Sequence, residues 1–511
     1  MPSISEANNL EQGSPSLPKR KAESKTDTRF YLIPLILALI FRLPVLLFND
    51  SFRLDEGFSM RFIQPDFWEI VRHATNDSHS PFYTFLLKGW CLAFGTGEIA
   101  ARSLSFLFGI MAIFTLYELG KQLYGELTGS IAAGLGAISP LWVWYSTETR
   151  MYTIWLTFIC INSLFFFYLV KTPSLLYMLG YALSGALVIY TQYIGILILP
   201  LHLSYIFFSW KKSKKLVWWL AQSYTLIAIL FIPWVVALAC FYTGFESDKL
   251  PLPTFNHLFR ILIQLFSGYI TDSTPYRLIE PVLGIIFLAM VLITLTVLIP
   301  SILATPKVKA YTKVFLLSPF AIFGGFFIFS FFTSVMEVRN LIFLTPFVYL
   351  LIGNLVSLSW KQKSLQRTMI AGFVLVFCAW ATYTQTTDTY NTEKVNYREA
   401  ASYVASLAKS GDMIVLDAYF IEPVFNYYYN NPSGDPIVFA PTSTEAHSRG
   451  EEFINERLTP PPNTRIIWVV QSYWERPESP TQKFYASRYP VVKFSQISSE
   501  LRVLGYWAAE S

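Results

Sequence analysis

Two adjacent carboxylates, Asp55 and Glu56, follow the first long apolar run of the chain by only a few residues. A carboxylate at a membrane surface, partly withdrawn from water and close to cations, can serve as a general base. His79 lies in the same polar stretch, ahead of Pro81, where it can bind a phosphate or a metal ion. Solvated loop acids and a capping histidine are the alternatives, and the residue types alone leave both interpretations open.

Polar residues at the ends of later apolar runs extend this candidate site. Charges at such positions are costly unless they line a cavity, and a row of arginines and tyrosines around one cavity suits an anionic ligand that bears a sugar. We predict Asp55 and Glu56 as catalytic residues. The residues predicted to bind the donor phosphate or the substrate are Arg102, Glu148, Arg150, Tyr152, Gln192, Arg339 and His79.

The sequence leaves the use of a divalent metal open. His79 and Glu148 are the candidate ligands if a metal takes part. The four cysteines lie far apart and show no metal-binding spacing. No nucleotide cofactor is expected, because the chain has no glycine-rich phosphate loop.

Two charge pairings are also expected. Arg42 lies inside the first apolar run and needs a polar partner, for which Asp50 or Asp55 would serve. Glu98 and Arg102 are four residues apart, so they can pair along one face of a helix.

The composition indicates an α-helical polytopic membrane protein. Of the 511 residues, 53 % are hydrophobic and 14 % are charged, and the mean hydropathy is +0.42. Long apolar runs recur from residue 30 to about residue 384. Such runs are long enough to cross a hydrocarbon core of roughly 30 Å.

The distribution of lysines and arginines predicts the orientation. The leader before the first run is basic, and all lysine-rich short loops fall on its side if the 14-residue segment 81–94 does not cross. We therefore predict about eleven crossings, with the N-terminus in the cytoplasm and the C-terminus outside. The crossings are expected near residues 30–48, 100–119, 128–146, 152–170, 174–191, 194–210, 216–240, 276–300, 312–333, 340–358 and 367–384.

Three regions are predicted. Residues 1–29 form a disordered cytoplasmic leader. Residues 30–384 form the transmembrane domain, whose first outer loop, 49–97, carries the catalytic acids and an interfacial helix. Residues 385–511 form a small α/β domain on the non-cytoplasmic side. Its strands are expected near residues 413–417, 436–439, 465–470, 491–495 and 501–506.

Several motifs in this order resemble a known family. Leu54-Asp55-Glu56 follows the first span, His79-Ser80-Pro81 opens the short helix, and Glu148-Thr149-Arg150-Met151-Tyr152 precedes another span. Together with Arg339, these motifs resemble family 39-type glycosyltransferases of the GT-C membrane fold, which are related to protein O-mannosyltransferases and lipid A aminoarabinose transferases. The chain departs from this pattern at Ser80, where relatives often have a further proline.

The resemblance implies transfer of a sugar from a polyprenyl- or dolichyl-phosphate donor, with inversion at the anomeric carbon, on the non-cytoplasmic face. Asp55 matches the acidic residue proposed as base in the family, and Arg102 and Arg339 match arginines that handle the donor phosphate or brace the loop. The loop at 241–275 is too short for the large lectin-like domain of eukaryotic protein mannosyltransferases. Its length argues against a protein acceptor of that type.

We therefore predict an integral-membrane glycosyltransferase of the bacterial plasma (inner) membrane, with its active site and C-terminus on the periplasmic side. Its expected partners are a polyprenyl-phosphate-sugar donor, membrane lipids, and a lipid, glycan or protein acceptor; no nucleic acid is expected. A lipid-linked glycan flippase or secondary transporter and a surface-polysaccharide polymerase or ligase are the alternatives. Transporters usually show two related halves, whereas this chain shows no half-repeat and gathers its polar residues at one face.

Overall fold

A bundle of helices precedes a small mixed sheet in the computed structural model of the chain. The structure describes residues 28–48, 51–77, 79–208, 214–244, 254–268, 322–331, 336–361, 372, 380, 383, 396–429, 437–439, 455–472, 480–498 and 501–508. Nearly all of the predicted leader, the crossing near 276–300 and most of the crossing near 367–384 lie outside these residues.

The first helices form the bundle and the last three accompany the sheet. They are α1 (Arg29–Phe48), α2 (Leu54–Phe62), α3 (Phe67–Thr75), α4 (Phe82–Phe94), α5 (Glu98–Tyr124), α6 (Glu126–Ala137), α7 (Pro140–Ser146), α8 (Tyr152–Lys171), α9 (Leu175–Thr191), α10 (Ile198–Phe208), α11 (Lys214–Phe241), α12 (Phe255–Ser267), α13 (Val338–Leu341), α14 (Thr345–Lys361), α15 (Tyr397–Leu407), α16 (Glu422–Tyr429) and α17 (Pro480–Ala486).

Five helical segments of the described chain are long and apolar enough to cross a membrane, and a bent pair of helices makes a sixth. The five are α1, α5, α8, α11 and Val338–Leu358, and the bent pair is α6 with α7. Helix α4 has 13 residues, or about 20 Å at 1.5 Å per residue, which is less than a hydrocarbon core of roughly 30 Å. Its length agrees with the predicted non-crossing segment, while the total of about eleven crossings stays a prediction.

The segment of the predicted crossing near 128–146 consists of two helices rather than one straight helix. Helix α6 ends at Ala137, α7 begins at Pro140, and the two are bent by 64°. Pro140 has no backbone N–H to continue the ladder. The Ser139 hydroxyl instead accepts a hydrogen bond from the Trp142 N–H and caps the new helix.

Arg42 on α1 donates hydrogen bonds to backbone carbonyls at this break. Its guanidinium is fully buried and donates to the carbonyls of Ala137 (2.6 Å) and Gly136 (2.9 Å) and to the hydroxyl of Ser146 (3.0 Å). A helix leaves such carbonyls unpaired at its C-terminus. The predicted pairing of Arg42 with Asp55 is therefore wrong, and Asp50, the other expected partner, lies outside the described residues. A broken helix supplies the polar partner that the membrane environment demands.

The C-terminal part of the chain contains a five-stranded sheet in the order β2-β1-β3-β5-β4. Strand β1 pairs in parallel with β2 and β3, while β5 pairs antiparallel with β3 and β4. Burial on both faces explains the unbroken apolar run of β1. The strands lie where the sequence predicts them: β1 (Met413–Leu416), β2 (Ile437–Phe439), β3 (Ile466–Ser472), β4 (Val491–Ser498) and β5 (Leu501–Trp507). That this unit is a separate extramembrane domain stays a prediction.

Replacing Arg42 with methionine keeps much of the side-chain volume but removes the donor from the carbonyls of Gly136 and Ala137. Each orphaned carbonyl is expected to cost about 1–3 kcal/mol of folding free energy. We expect a lower apparent melting temperature for the purified chain in detergent, followed by tryptophan fluorescence. Leu43→Met, at a 41 % exposed site on the same helix, is the matched control. Equal melting temperatures for the two variants would contradict this role of Arg42.

Candidate active site

Helix α2 presents the two predicted acids in different directions. Consecutive residues of a helix point about 100° apart, since one turn takes about 3.6 residues. Both acids lie in the first turn, where negative charge is favourable. The Glu56 side chain also turns back to accept a hydrogen bond from the Arg53 N–H (2.8 Å), as in a capping box. Glu56 therefore faces the protein while Asp55 faces outward.

Glu56 and Arg102 form a buried, two-pronged ion pair. Both side chains are fully buried, and Arg102 Nε and Nη2 donate to the two Glu56 oxygens at 2.8 and 2.7 Å. The Thr149 N–H donates to Glu56 Oε1 (2.9 Å), and Arg102 Nη2 also donates to the Ser51 carbonyl (2.8 Å). The pair thus joins α5, the start of α2 and the loop between α7 and α8.

The electrostatics of Glu56 suit a structural anion. Burial alone raises the pKa of Glu56, but the charge and hydrogen bonds of Arg102, together with Arg53, outweigh burial and lower it to about 2. The carboxylate is ionised at neutral pH and its oxygens are already occupied by donors. This geometry suits a positioning role for Glu56 better than the predicted catalytic role, which stays a prediction.

Asp55 is open to a ligand. Its side chain is 44 % exposed, and Oδ2 accepts a hydrogen bond from Arg339 Nη1 at 3.3 Å. Arg339 belongs to α13, distant in sequence. The structure therefore brings together an acid and an arginine that were both predicted for the site.

Arg150 adds a second cation near Asp55. It lies in the loop between α7 and α8, and its Nε is buried without a hydrogen-bond partner among the described residues. Burial opposes the charge, but Asp55 first, then Tyr152 and Glu148, hold the pKa of Arg150 above its usual value. Arg150 is thus a permanent cation with an N–H group available to a ligand.

Glu148 lies in the same loop and is only 6 % exposed. Burial raises the pKa of Glu148 to about 7, although the nearby Arg53 opposes this rise. The Arg53 guanidinium lies over the ring of Trp144, 3.4 Å from its centroid. Glu148 therefore exchanges its proton near neutral pH.

An open cleft includes one of these residues, Arg150. It is lined by Ser59, Phe62, Ile70, His73, Ala74, Asp77, His79, Ser80, Tyr83, Thr84, Arg150 and Met151. His79 Nδ1 lies 3.6 Å from Asp77 Oδ1. Burial lowers the pKa of His79, Asp77 opposes this shift, and Arg150 and Arg339 add to it. His79 is accordingly a neutral hydrogen-bonding group at neutral pH.

The surroundings of the predicted metal ligand His79 contain charges of both signs. Among the described residues, no group of three His, Cys, Asp or Glu side chains is placed to hold a metal ion. The charges that act on His79 include the cations Arg150 and Arg339 and the carboxylate of Asp77. Metal binding by His79 and Glu148 stays a prediction.

Tyr152 and Gln192 support the site from the ends of helices. Tyr152 is buried at the first turn of α8, with its ring centroid 4.2 Å from that of Tyr145. Gln192 is buried at the end of α9, and its Nε2 lies 3.5 Å from Oδ1 of Asn340. Because Asn340 follows Arg339, this long contact helps to place α13.

The expected Glu98–Arg102 pair is wrong. Arg102 is fully engaged with Glu56, while Glu98 pairs with Arg398 and accepts a hydrogen bond from the Tyr428 hydroxyl (2.7 Å). The helical spacing of four residues is present, but a buried partner on α2 outcompetes a partner on the same helix. Sequence reasoning also missed Arg53, although its distance of three residues from Glu56 is the spacing of a capping box.

Replacing Glu148 with glutamine should change how stability depends on pH. The folded-state pKa of about 7 lies above the ordinary value of 4.5, so protonated Glu148 contributes stability below the ordinary value that is lost as pH rises through the folded value. This loss amounts to roughly 2–4 kcal/mol. The apparent melting temperature of the wild type should therefore fall, relative to Glu148→Gln, from about pH 5 to about pH 8.

Glu456→Gln is the control for this pH series, because the Glu456 side chain is exposed. Its melting curve should follow that of the wild type at every pH. Parallel curves for the wild type and Glu148→Gln would contradict the burial of a titrating Glu148.

Comparisons with known proteins agree with this architecture. Residues 78–236 match the sequence model of a family described as dolichyl-phosphate-mannose-protein mannosyltransferase. This segment contains Arg102, Glu148, Arg150 and Gln192, whereas Asp55 precedes it. No curated protein matches the chain in sequence.

Solved structures show the fold. ArnT from Cupriavidus metallidurans in the apo state is 13 % identical with a TM-score of 0.59, over 94 % of this chain and 98 % of that chain. ArnT bound to undecaprenyl phosphate is 14 % identical with a TM-score of 0.55, over 94 % and 99 % of the two chains. The Archaeoglobus fulgidus oligosaccharyltransferase in the apo form is 14 % identical with a TM-score of 0.52, over 95 % and 75 %.

The family model matches residues 78–236, and the solved structures match almost the whole chain. The chain therefore has the GT-C fold, and its resemblance to the family 39-type glycosyltransferases is confirmed.

Proposed function

We propose that this protein is an integral-membrane glycosyltransferase that moves a sugar from a polyprenyl-phosphate-sugar donor to an acceptor hydroxyl, with inversion at the anomeric carbon. Asp55 is the general base. Arg150 and Arg339 bind the donor phosphate. The active site faces the non-cytoplasmic side, in a bacterial plasma membrane.

One observation carries this proposal: an exposed carboxylate lies near two arginines, one of which lines a cleft. Asp55 is paired with Arg339 at 3.3 Å, and Asp55 is the foremost charge acting on Arg150. Glu56, the other acid of the motif, is saturated with hydrogen bonds and fully buried. Asp55 is the acid of this pair with room to accept a proton from a substrate.

The arrangement suits a single-displacement reaction. Asp55 accepts the proton of the acceptor hydroxyl as the oxygen attacks the anomeric carbon from the face opposite the phosphate. The bond between the anomeric carbon and the phosphate oxygen breaks, and its electron pair leaves with the phosphate. Arg150 and Arg339 stabilise the charge that develops on the departing phosphate. The leaving group is a weak base, so no second carboxylic acid is required.

Several further residues fit roles around this reaction. Arg102 holds Glu56 and thereby α2, so it acts at a distance from the donor. His79, which is neutral and in the cleft with Arg150, can donate or accept a hydrogen bond from a sugar hydroxyl or the phosphate. Tyr152 is buried two residues after Arg150, and Gln192 contacts Asn340, the residue after Arg339. Both side chains therefore help to place the two arginines.

The choice of a lipid-linked donor is supported by the comparisons. The matched family is described by its use of dolichyl-phosphate-mannose, and one solved structure of the same fold holds undecaprenyl phosphate. The exposed apolar surface of α1, which includes Leu39 and Leu47, indicates contact with membrane lipids. The acceptor is left as a lipid, glycan or protein hydroxyl.

Asp55→Asn tests the proposed base. The change keeps the size of the side chain but removes its ability to take a proton, so we expect sugar transfer to fall by about 10²–10⁴-fold. Transfer is measured in membranes that contain the full chain, supplied with radiolabelled polyprenyl-phosphate mannose or polyprenyl-phosphate glucose. Expression and melting temperature should match those of the wild type, because Asp55 is half-exposed.

Asp66→Asn is the matched control for this test. Asp66 is exposed in the same outer loop and caps α3, and asparagine caps a helix equally well. Wild-type transfer by Asp55→Asn would remove Asp55 as the base. A wild-type chain that transfers no sugar from either donor would count against the proposed reaction.

A further inference from the structure

The short helix that carries Asp55 packs directly on the C-terminal part of the chain. Gly57 of α2 faces Val424 of α16 at backbone contact: a Cβ atom on Gly57 would lie 2.6 Å from the Val424 Cβ and 2.7 and 2.8 Å from its N and Cα atoms. Only a residue without a side chain allows this approach. The two helices are thus fitted to each other at this point.

Polar groups hold the beginning of α2 to the same helix. The N–H of Phe52, just before α2, donates to the Tyr428 hydroxyl (2.8 Å), which in turn donates to Glu98 Oε1 at the start of α5 (2.7 Å). The Phe52 ring meets the edge of the Tyr427 ring, with centroids 5.0 Å apart. The Tyr427 hydroxyl donates to the carbonyl of Thr96 (2.9 Å).

Ion pairs complete this contact at its two sides. Arg61, in the last turn of α2, pairs with Glu422 at the start of α16. Arg398 of α15 pairs with Glu98. Exposed ion pairs add little stability, typically less than about 1 kcal/mol. The Arg61–Glu422 pair lies at the C-terminal end of α2, while the Arg398–Glu98 pair supports the Tyr428 hydroxyl that contacts the residue before α2. Together they help to fix the direction of a helix that is only 9 residues long.

We propose that the C-terminal α/β unit is a positioning element of the active site, which holds α2 so that Asp55 keeps its alignment with Arg339 and the cleft. This inference rests on the proposed function. Glu56 fixes α2 on one side through Arg102, and α16 fixes it on the other through Gly57. A displacement of about 1 Å in a reacting group can cost roughly 10²-fold in rate. Docking of α16 therefore sets the rate of transfer rather than the affinity for the donor.

Gly57→Ala tests this role by forcing α2 and α16 apart. We expect kcat for sugar transfer to fall by about tenfold or more, while KM for the polyprenyl-phosphate sugar stays within about twofold. Gly89→Ala on α4 is the matched control, because a Cβ atom there meets nothing within 4 Å. Hydrogen–deuterium exchange of residues 51–62 in the purified full chain reports the position of α2 independently of activity, and it should rise in Gly57→Ala alone.

A charge exchange provides a second test with a rescue. Arg61→Glu places like charges at the end of α2 and should lower kcat in the same way. Arg61→Glu combined with Glu422→Arg restores the opposite charges and should recover most of the lost rate and the wild-type exchange. If Arg61→Glu lowers kcat only because the arginine is lost, the double variant will stay as slow as Arg61→Glu.

The kinetic constants and the hydrogen exchange together distinguish a failure of the positioning role from a failure of the proposed function. Unchanged exchange of residues 51–62 in Gly57→Ala, or raised exchange with a wild-type kcat, would overturn the positioning role. A rise in KM with unchanged kcat would overturn it as well, because α16 would then serve donor binding. Absence of transfer by the wild type would overturn the proposed function alone, since hydrogen exchange still decides whether α16 holds α2.

Discussion

The buried ion pair between Glu56 and Arg102 is the interaction on which the rest of the site depends. Charges taken out of water are tolerated only when their hydrogen-bonding groups are satisfied, and the Glu56 oxygens accept from Arg102, Arg53 N–H and Thr149 N–H. These donors come from three separate parts of the chain. The loop with Arg150, the helix with Asp55 and the N-terminal end of α5 are therefore placed by one carboxylate.

This arrangement explains why two consecutive acids have different roles. A helix turns consecutive side chains about 100° apart, so the inward position of Glu56 directs Asp55 towards Arg339 and solvent. Arg42 provides a comparable support inside the bundle, where it pairs with the carbonyls of the broken segment α6–α7. The break turns the chain into the loop that carries Glu148 and Arg150. Asp55, the proposed base, is thus held in place by side chains that have no part in the proposed reaction.

Local signals in the sequence predicted much of this molecule, and long-range pairings account for what was missed. The length of the apolar runs and the turn residues predicted the helices and strands. Charges beside the apolar runs predicted Asp55, Arg150 and Arg339 as site residues. A single sequence carries no information on which distant groups meet. Arg42 was therefore given an acid as its partner, although it binds carbonyls almost a hundred residues away. The Ser139-Pro140 break could have been read from its residues.

A double-mutant cycle on Glu56 and Arg102 measures how far the stability and the activity of the protein depend on this ion pair. The single variants Glu56→Gln and Arg102→Gln and the double variant are compared by unfolding in detergent and by sugar transfer. Each single change leaves one buried charge unpaired and should cost about 3–5 kcal/mol, whereas the double change should cost no more than the worse single one. The coupling energy should therefore be at least as large as the smaller single loss, about 3 kcal/mol or more. Additive losses, or single variants as stable as the wild type, would contradict an account in which this pair holds the site together.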